Sequence, residues 1–107
     1  MMIEHKLNKA RDDYHVKLVE RLAALGGLIG RLRSVEHDVD LETLQEAQQL
    51  AHRICGSAGT FGFTAAGEAV KIIDQTLLSV LEEQAVATRA LWDRLEEALR
   101  QAQEGSQ

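Results

Sequence analysis

The chain has no proline among its 107 residues, and this absence constrains its fold more than any other feature. Proline breaks helix interiors, so a chain without it can form long uninterrupted helices. Aromatic residues make up only 4% of the sequence, whereas strands are normally rich in aromatic and β-branched side chains. The abundant residues are Leu, Ala, Glu, Gln and Arg, which are good helix formers. The composition therefore predicts an all-α protein.

Apolar residues recur every three or four positions in four stretches, as they do along the buried face of a helix. The predicted helices run from about Asn8 to Arg33, from Leu41 to about Ala58, from Thr64 to near Glu82, and from Thr88 to the polar tail. Because the connections are short, consecutive helices should lie antiparallel, and residues 1–107 are predicted to form one up-and-down four-helix bundle. Residues 1–7 and 103–107 are expected to fray.

The same spacing predicts which side chains are buried and which residues start the helices. Asp40, Thr64 and Thr88 are expected to cap helices with their side-chain oxygens. Gly26, Gly27 and Gly30 are expected to let a neighbouring helix approach the first one closely. The predicted core consists of Leu18, Leu22, Leu25, Ile29, Leu32, Leu41, Leu44, Ala47, Ala51, Ile54, Cys55, Ala58, Phe61, Phe63, Ala66, Val70, Ile73, Leu77, Leu81, Leu91, Trp92, Leu95, Ala98 and Leu99. Val19 and Leu28 lie beside the main stripe, and the spacing leaves their burial open.

Charge and cysteine content exclude several classes of protein. The formal net charge of −5 lacks the basic surplus that binding to a phosphate backbone requires, so nucleic acid is not an expected partner. The single cysteine cannot form an internal disulfide. The charged N-terminal residues do not resemble a signal peptide, and the chain has no apolar run long enough to span a membrane. We therefore expect a monomeric cytoplasmic protein that does not bind membranes.

His52 stands out because its neighbours on the same helix face are not bulky apolar residues. These neighbours are Gln45, Gln48, Gln49, Gly56 and Gly59. The pattern predicts an imidazole that faces water, within a surface open enough for a partner to approach the ring closely. The alternative is an ordinary surface histidine near a helix end. His5, His15 and His37 are expected to be solvated surface residues.

The segment AHRICGSAGTFGF, residues 51–63, resembles the phosphohistidine motif of histidine phosphotransfer (HPt) domains, particularly those of chemotaxis histidine kinases. The resemblance continues through FTAAGEAVKIID and covers the chain from about Leu18 to Leu99. It implies an HPt four-helix bundle in which His52 accepts a phosphoryl group and passes it on. The implied partners are a sensor histidine kinase and the receiver domain of a response regulator, which would dock on Gln45, Gln48, Gln49, Gly56 and Gly59.

A neutral imidazole is a nucleophile at cytoplasmic pH and needs no further base. Phosphoryl transfer usually uses Mg²⁺, but the sequence around His52 has no carboxylate cluster to bind it. We expect the receiver domain to supply Mg²⁺, and we expect this chain to bind no metal or cofactor. Nothing in the sequence resembles an ATP-binding domain, so the chain is expected to carry phosphoryl groups without being a kinase. The starting methionine favours a free-standing protein over an excised kinase domain.

The chain departs from the family at the third position after the histidine, where the family usually has lysine and this chain has Cys55. The spacing favours Cys55 as a small buried residue over a metal ligand paired with His52. At two positions where chemotaxis kinases carry a histidine and a glutamate that contact the active ring, this chain has Lys71 and Asp74. We expect Lys71 and Arg53 to replace the missing positive charge. Asp74 is expected to accept a hydrogen bond from Nδ1 of His52, although its side chain is one methylene shorter than that of glutamate.

Other interpretations of these residues remain. Lys71 and Asp74 could form only a solvated ion pair on one helix. The bundle could be a helical adaptor in which His52 is incidental, or a module that binds receivers without transferring phosphate, since Cys55 interrupts the usual motif. A metal or haem bundle is disfavoured because few His, Met or Glu residues face inward.

Overall fold

The computed structural model describes the backbone of residues 2–34 and 40–107, and the side chains of residues 8–34 and 40–107. The described residues form four helices: α1 (Met2–Ser34), α2 (Leu41–Ala58), α3 (Thr64–Leu81) and α4 (Arg89–Gly105). Each helix packs against the next, and α4 packs back against α1. The fold is therefore the all-α four-helix bundle that the sequence predicts.

Helix α1 is much longer than the other three helices. It contains 33 residues, whereas each of the others contains 17 or 18. It begins at Met2, so the predicted start at about Asn8 was six residues too late. The apolar spacing continues here through Ile3, Leu7, Ala10 and Tyr14, and the segment contains no proline or glycine, so the sequence favours helix in it. Met1 lies outside the described residues.

Two of the three predicted caps are present. Asp40 accepts a hydrogen bond from the backbone N–H of Glu42 at 3.2 Å, and Thr88 accepts one from that of Leu91 at 3.2 Å. Thr64, however, is the first helical residue of α3 and does not cap it. Phe63 instead precedes the helix, and its carbonyl accepts from the N–H of Gly67 at 2.9 Å. Its own N–H donates to the carbonyl of Ala58 at 2.8 Å and so closes the turn between α2 and α3. Gly62 makes this turn possible with a φ of 88°, a conformation that favours glycine.

The core runs the length of the bundle and contains most of the predicted side chains. Leu41 is the clear exception, since it is 59% exposed at the first position of α2 while Thr43 and Leu44 are buried. Cys55, Phe61, Leu81 and Leu99 are only partly buried against the core. Of the two undecided residues, Leu28 is buried and Val19 is exposed.

The glycines of α1 do not all have the predicted role. A Cβ on Gly26 would lie 3.0 Å from Leu99 Cδ2, so at this position α4 does approach α1 closely. A Cβ on Gly27 or Gly30 would meet nothing within 4 Å. The prediction of close packing was therefore wrong for Gly27 and Gly30, which face open space.

The end of α4 is packed rather than frayed. The helix continues to Gly105, where a Cβ would lie 2.9 Å from the backbone nitrogen of Ala66 in α3. Ser106 is buried, and its hydroxyl donates to the carbonyl of Gln103 at 2.7 Å. Because Gly105 has no side chain, this tail can pack against the start of α3, in a region where the sequence predicts fraying.

Aromatic contacts attach the α2–α3 turn to α1. The Tyr14 ring stacks on Phe61 at 4.4 Å between centroids, and its hydroxyl hydrogen-bonds to Ser57 Oγ at 2.7 Å. His15 is half-buried with its ring stacked on Phe63 at 5.5 Å, so it is not the solvated residue that the sequence predicted. The His5 side chain and His37 lie outside the described residues. These contacts fix the C-terminal end of α2, the helix that carries His52.

No helix in the described part of the chain is long and apolar enough to cross a membrane.

Candidate functional site

The imidazole of His52 projects from α2 into solvent. Its side chain is 74% exposed, as the helix spacing predicts, while the neighbouring residues Ala51 and Ile54 are fully buried. These buried neighbours anchor the opposite face of α2 in the core. The ring is therefore held by a rigid helix while remaining accessible to a partner.

Asp74 of α3 reaches across to His52. Its Oδ2 lies 3.1 Å from Nδ1 of the imidazole, and the carboxylate side chain is only 13% exposed. An ionised carboxylate can only accept hydrogen bonds, so Nδ1 carries the ring proton and its N–H donates a hydrogen bond to Asp74. The neutral ring then has its free lone pair on Nε2. The expected bond between these two residues is present despite the short aspartate side chain.

Gln48 lies one turn before His52 and is also attached to Asp74. Its Nε2 donates to Asp74 Oδ1 at 2.8 Å, and its side chain is half-buried. Both oxygens of Asp74 are thus engaged by α2, one by an amide and one by an imidazole. The sequence analysis assigned Gln48 to a docking surface and missed this contact. Helical spacing showed that Gln48 and His52 share a face, but it did not show which residue of α3 lies opposite.

The other residues of the expected docking surface are accessible to solvent. Gln45, Gln49, Gly56 and Gly59 are exposed. A Cβ placed on Gly56 or Gly59 would meet nothing within 4 Å, so neither glycine is needed for packing inside the chain. The structure thus leaves the surface next to His52 free of bulky side chains on its C-terminal side.

Cys55 occupies a half-buried position between α2 and α3. Its thiol lies 3.8 Å from the carbonyl oxygen of Gly67. Burial and, to a smaller extent, the negative charge of Asp74 raise the pKa of the Cys55 thiol, and the positive charge of Lys71 partly opposes them, so that the pKa is about 11. The thiol is therefore protonated and weakly nucleophilic at neutral pH. This environment favours the predicted small, partly buried residue over a metal ligand.

A shallow groove of about 190 Å³ opens beside Cys55. The residues that line it are Cys55, Gly59, Thr64, Gly67, Glu68 and Lys71. The groove therefore lies between Cys55 on α2 and Lys71 on α3. In the described ranges, no group of three or more His, Cys, Asp and Glu side chains is arranged to hold a metal ion.

Lys71 and Arg53 are both exposed, on α3 and α2 respectively. The salt bridges found among the described side chains do not include one between Lys71 and Asp74, since the carboxylate of Asp74 faces His52 and Gln48. The interpretation of Lys71 and Asp74 as a simple surface ion pair is therefore not supported. The site combines a nucleophilic ring nitrogen in solvent, a carboxylate behind the ring, and two exposed cations on its helices.

A model of the Hpt domain family matches residues 9–105, which include all of α2, α3 and α4 and most of α1. No curated protein and no solved structure shows significant similarity to the chain. Hpt domains act in phosphorelays by histidine phosphotransfer, and the exposed His52 lies within the matched region. From the length of this match and the four-helix fold, the chain belongs to the Hpt domain family.

Proposed function

We propose that this chain carries a phosphoryl group on Nε2 of His52 between a sensor histidine kinase and the receiver aspartate of a response regulator. The observation that carries the proposal is the pairing of an exposed imidazole with a carboxylate on Nδ1, 3.1 Å away. This pairing directs the lone pair of the neutral ring to Nε2, the nitrogen that is free to meet a partner.

The transfer step follows from this geometry. The Nε2 lone pair attacks the phosphorus of an aspartyl phosphate on the receiver, so that an N–P bond forms as the O–P bond to the aspartate breaks. The ring keeps its Nδ1 proton and becomes a positively charged phosphoimidazolium, while the receiver regains its carboxylate. Asp74 stabilises this developing positive charge because its carboxylate is already in place behind the ring. In the reverse direction, the receiver carboxylate displaces the same imidazole.

Lys71 and Arg53 are the residues that we assign to the phosphoryl oxygens. A phosphoryl group in transfer spreads negative charge over three oxygens, which exposed cations on the two helices of the site can stabilise. Lys71 lines the same groove as Cys55, so its side chain starts beside the position at which the family usually has lysine. The Mg²⁺ that usually assists such transfer is assigned to the receiver.

A transfer assay tests the proposal. Incubation with a phosphorylated receiver, or with ATP and an active sensor kinase, should label the chain with a phosphoryl group that is lost in acid and stable in base. His52→Gln should abolish labelling, while His15→Gln, which changes the histidine stacked on Phe63, should retain it. Labelling that survives in His52→Gln would exclude His52 as the acceptor.

Cys55 favours one alternative, a module that binds receivers without accepting phosphate. The family lysine is absent at this position, and the thiol that replaces it is uncharged at neutral pH because burial raises its pKa to about 11. In that case the wild-type chain would bind a receiver in a pull-down or titration but would remain unlabelled. A helical adaptor unrelated to phosphorelays would show neither labelling nor receiver binding.

A further inference from the structure

Gln48 makes a contact that a docking role does not require. Its side chain is half-buried, and its amide nitrogen donates to Asp74 Oδ1 at 2.8 Å. The other oxygen of the same carboxylate accepts from His52 at 3.1 Å. We propose that Gln48 is a positioning residue that acts through Asp74 to keep His52 in the tautomer with a free Nε2 lone pair. This inference rests on the proposed function, because it assigns Gln48 a role in phosphoryl acceptance by His52.

The carboxylate of Asp74 could rotate if only one hydrogen bond held it. The torsion that orients an aspartate carboxylate has a broad energy profile, so a single hydrogen bond to an exposed ring holds the carboxylate weakly. The amide of Gln48 binds the second oxygen and thereby fixes the plane of the carboxylate. The Oδ2 atom is then held where Nδ1–H of His52 can donate to it.

The three residues of this network lie on two helices. Gln48 and His52 lie one turn apart on α2, and Asp74 lies opposite them on α3. The carboxylate is only 13% exposed, whereas the ring is 74% exposed. The less exposed bond between Gln48 and Asp74 is therefore better shielded from water than the bond between Asp74 and His52. The shielded bond sets the geometry of the exposed one.

The position of Asp74 determines the tautomer of His52. If Asp74 rotates away, neither ring nitrogen of His52 has a fixed acceptor, and the proton can occupy Nε2. A ring protonated on Nε2 has no lone pair at the atom that faces the partner. Loss of Gln48 should thus reduce the fraction of rings ready to accept a phosphoryl group, without removing any group that contacts the phosphate.

The test compares Gln48→Met with Gln49→Met. Methionine keeps the length of the side chain and favours helix, but it cannot donate a hydrogen bond. Gln49 is exposed and serves as the matched control for the tautomer measurement, which needs no partner. The ¹⁵N chemical shifts of His52 at pH 8, above the ordinary titration range of imidazole, report the tautomer, and a transfer assay with a phosphorylated receiver reports the rate. Circular dichroism checks that both variants fold.

We expect Gln48→Met to shift the tautomer toward Nε2–H and to slow phosphoryl acceptance about fivefold, while Gln49→Met leaves the tautomer unchanged. An unchanged tautomer in Gln48→Met overturns the inference, even if transfer slows, because slower transfer alone indicates a docking role. A shifted tautomer with an unchanged rate also overturns it. The tautomer is measured without any partner, so absence of labelling in the wild type would instead reject the proposed function.

Discussion

Gly67 of α3 lies so close to Ala58 of α2 that a Cβ added to Gly67 would stand 3.4 Å from the Cβ of Ala58. The same Cβ would be 3.7 Å from the backbone nitrogen of Gly59. The two helices therefore approach each other closely near the α2–α3 turn. Asp74 lies two turns further along α3 and reaches His52 with a short side chain. We infer that the contact at Gly67 helps to set the separation that this side chain has to span.

Substitutions of Gly67 test this relationship. Alanine fits at ordinary van der Waals distance and improves helix propensity, so Gly67→Ala should raise the free energy of unfolding by up to about 1 kcal/mol. Gly67→Val adds methyl groups that the contact with Ala58 has no room for, and it should cost about 1–3 kcal/mol. Urea unfolding measures both effects.

The valine variant of Gly67 should also weaken the hydrogen bond between His52 and Asp74. This weakening should appear as a tautomer change in ¹⁵N spectra of His52. An unaltered His52 spectrum would contradict the link between helix spacing and the site.

The fold could be predicted well from the sequence because the spacing of apolar residues indicates four helices. The bounds of α2, Leu41 and Ala58, agree with the structure, since an acidic cap precedes the helix and a glycine-rich turn follows it. The start of α1 was predicted too late because the prediction relied on the stripe from Leu18 onward, although Ile3, Leu7, Ala10 and Tyr14 continue it toward the N-terminus. The packed tail was missed because it depends on Gly105 fitting against α3, a tertiary contact that periodicity does not reveal.

The candidate site was only partly predictable. His52 could be placed in solvent from its own helix, because its neighbours on that face are polar or small. The contact between Gln48 and Asp74 could not be predicted, because it depends on which residue of α3 lies opposite Gln48. The surroundings of the α1 glycines could not be predicted either, because they also depend on the neighbouring helix. Gly26 and Gly27 look equivalent in sequence, yet only the first faces Leu99 closely while the second faces open space.

The charge of Asp74 can be separated from its geometry. In Asp74→Asn, the amide oxygen can still accept from Nδ1–H of His52, and the amide of Gln48 can flip to accept from the new NH₂ group. We expect the tautomer to be retained while transfer slows on the order of tenfold, because the positive charge that develops on the ring is no longer balanced. Asp74→Ala should both shift the tautomer and slow transfer. Equal rates in Asp74→Asn and the wild type would show that the carboxylate charge does not assist transfer.

Lys71 is expected to supply the positive charge that Cys55 does not. Lys71→Ala should slow transfer several-fold, because the phosphoryl oxygens lose a nearby cation. Adding Cys55→Lys to this variant should restore most of the rate, since Cys55 and Lys71 line one groove and a lysine stem can lie along it with its ammonium in water. The control is Lys17→Ala, an exposed lysine on α1. If Lys71→Ala transfers at the wild-type rate, Lys71 has no such role.

The thiol of Cys55 should react with alkylating reagents only at high pH. Burial raises its pKa from the ordinary 9.0 to about 11, so the reactive thiolate forms about two pH units later than in an unfolded chain. In the folded chain, the rate of reaction with iodoacetamide should keep rising up to about pH 11. In the chain unfolded by urea, the rate should level off just above pH 9. Because the folded pKa is the higher one, this group stabilises the fold fully below pH 9 and progressively less between pH 9 and 11. Equal pH profiles with and without urea would show that the thiol is exposed.

A pair of glycine-to-alanine substitutions distinguishes a glycine that packing requires from one that it does not. A Cβ at Gly105 would lie 2.9 Å from the backbone nitrogen of Ala66, and backbone cannot move aside as a flexible side chain can. Gly105→Ala should therefore cost about 1–3 kcal/mol, because either the tail or the start of α3 must shift. Gly30→Ala should instead gain up to about 1 kcal/mol, since nothing lies within 4 Å of the new methyl group and alanine favours helix. Thermal unfolding of the two variants should thus move in opposite directions from the wild type. A stabilised Gly105→Ala variant would mean that the C-terminal tail does not hold its packed position against α3.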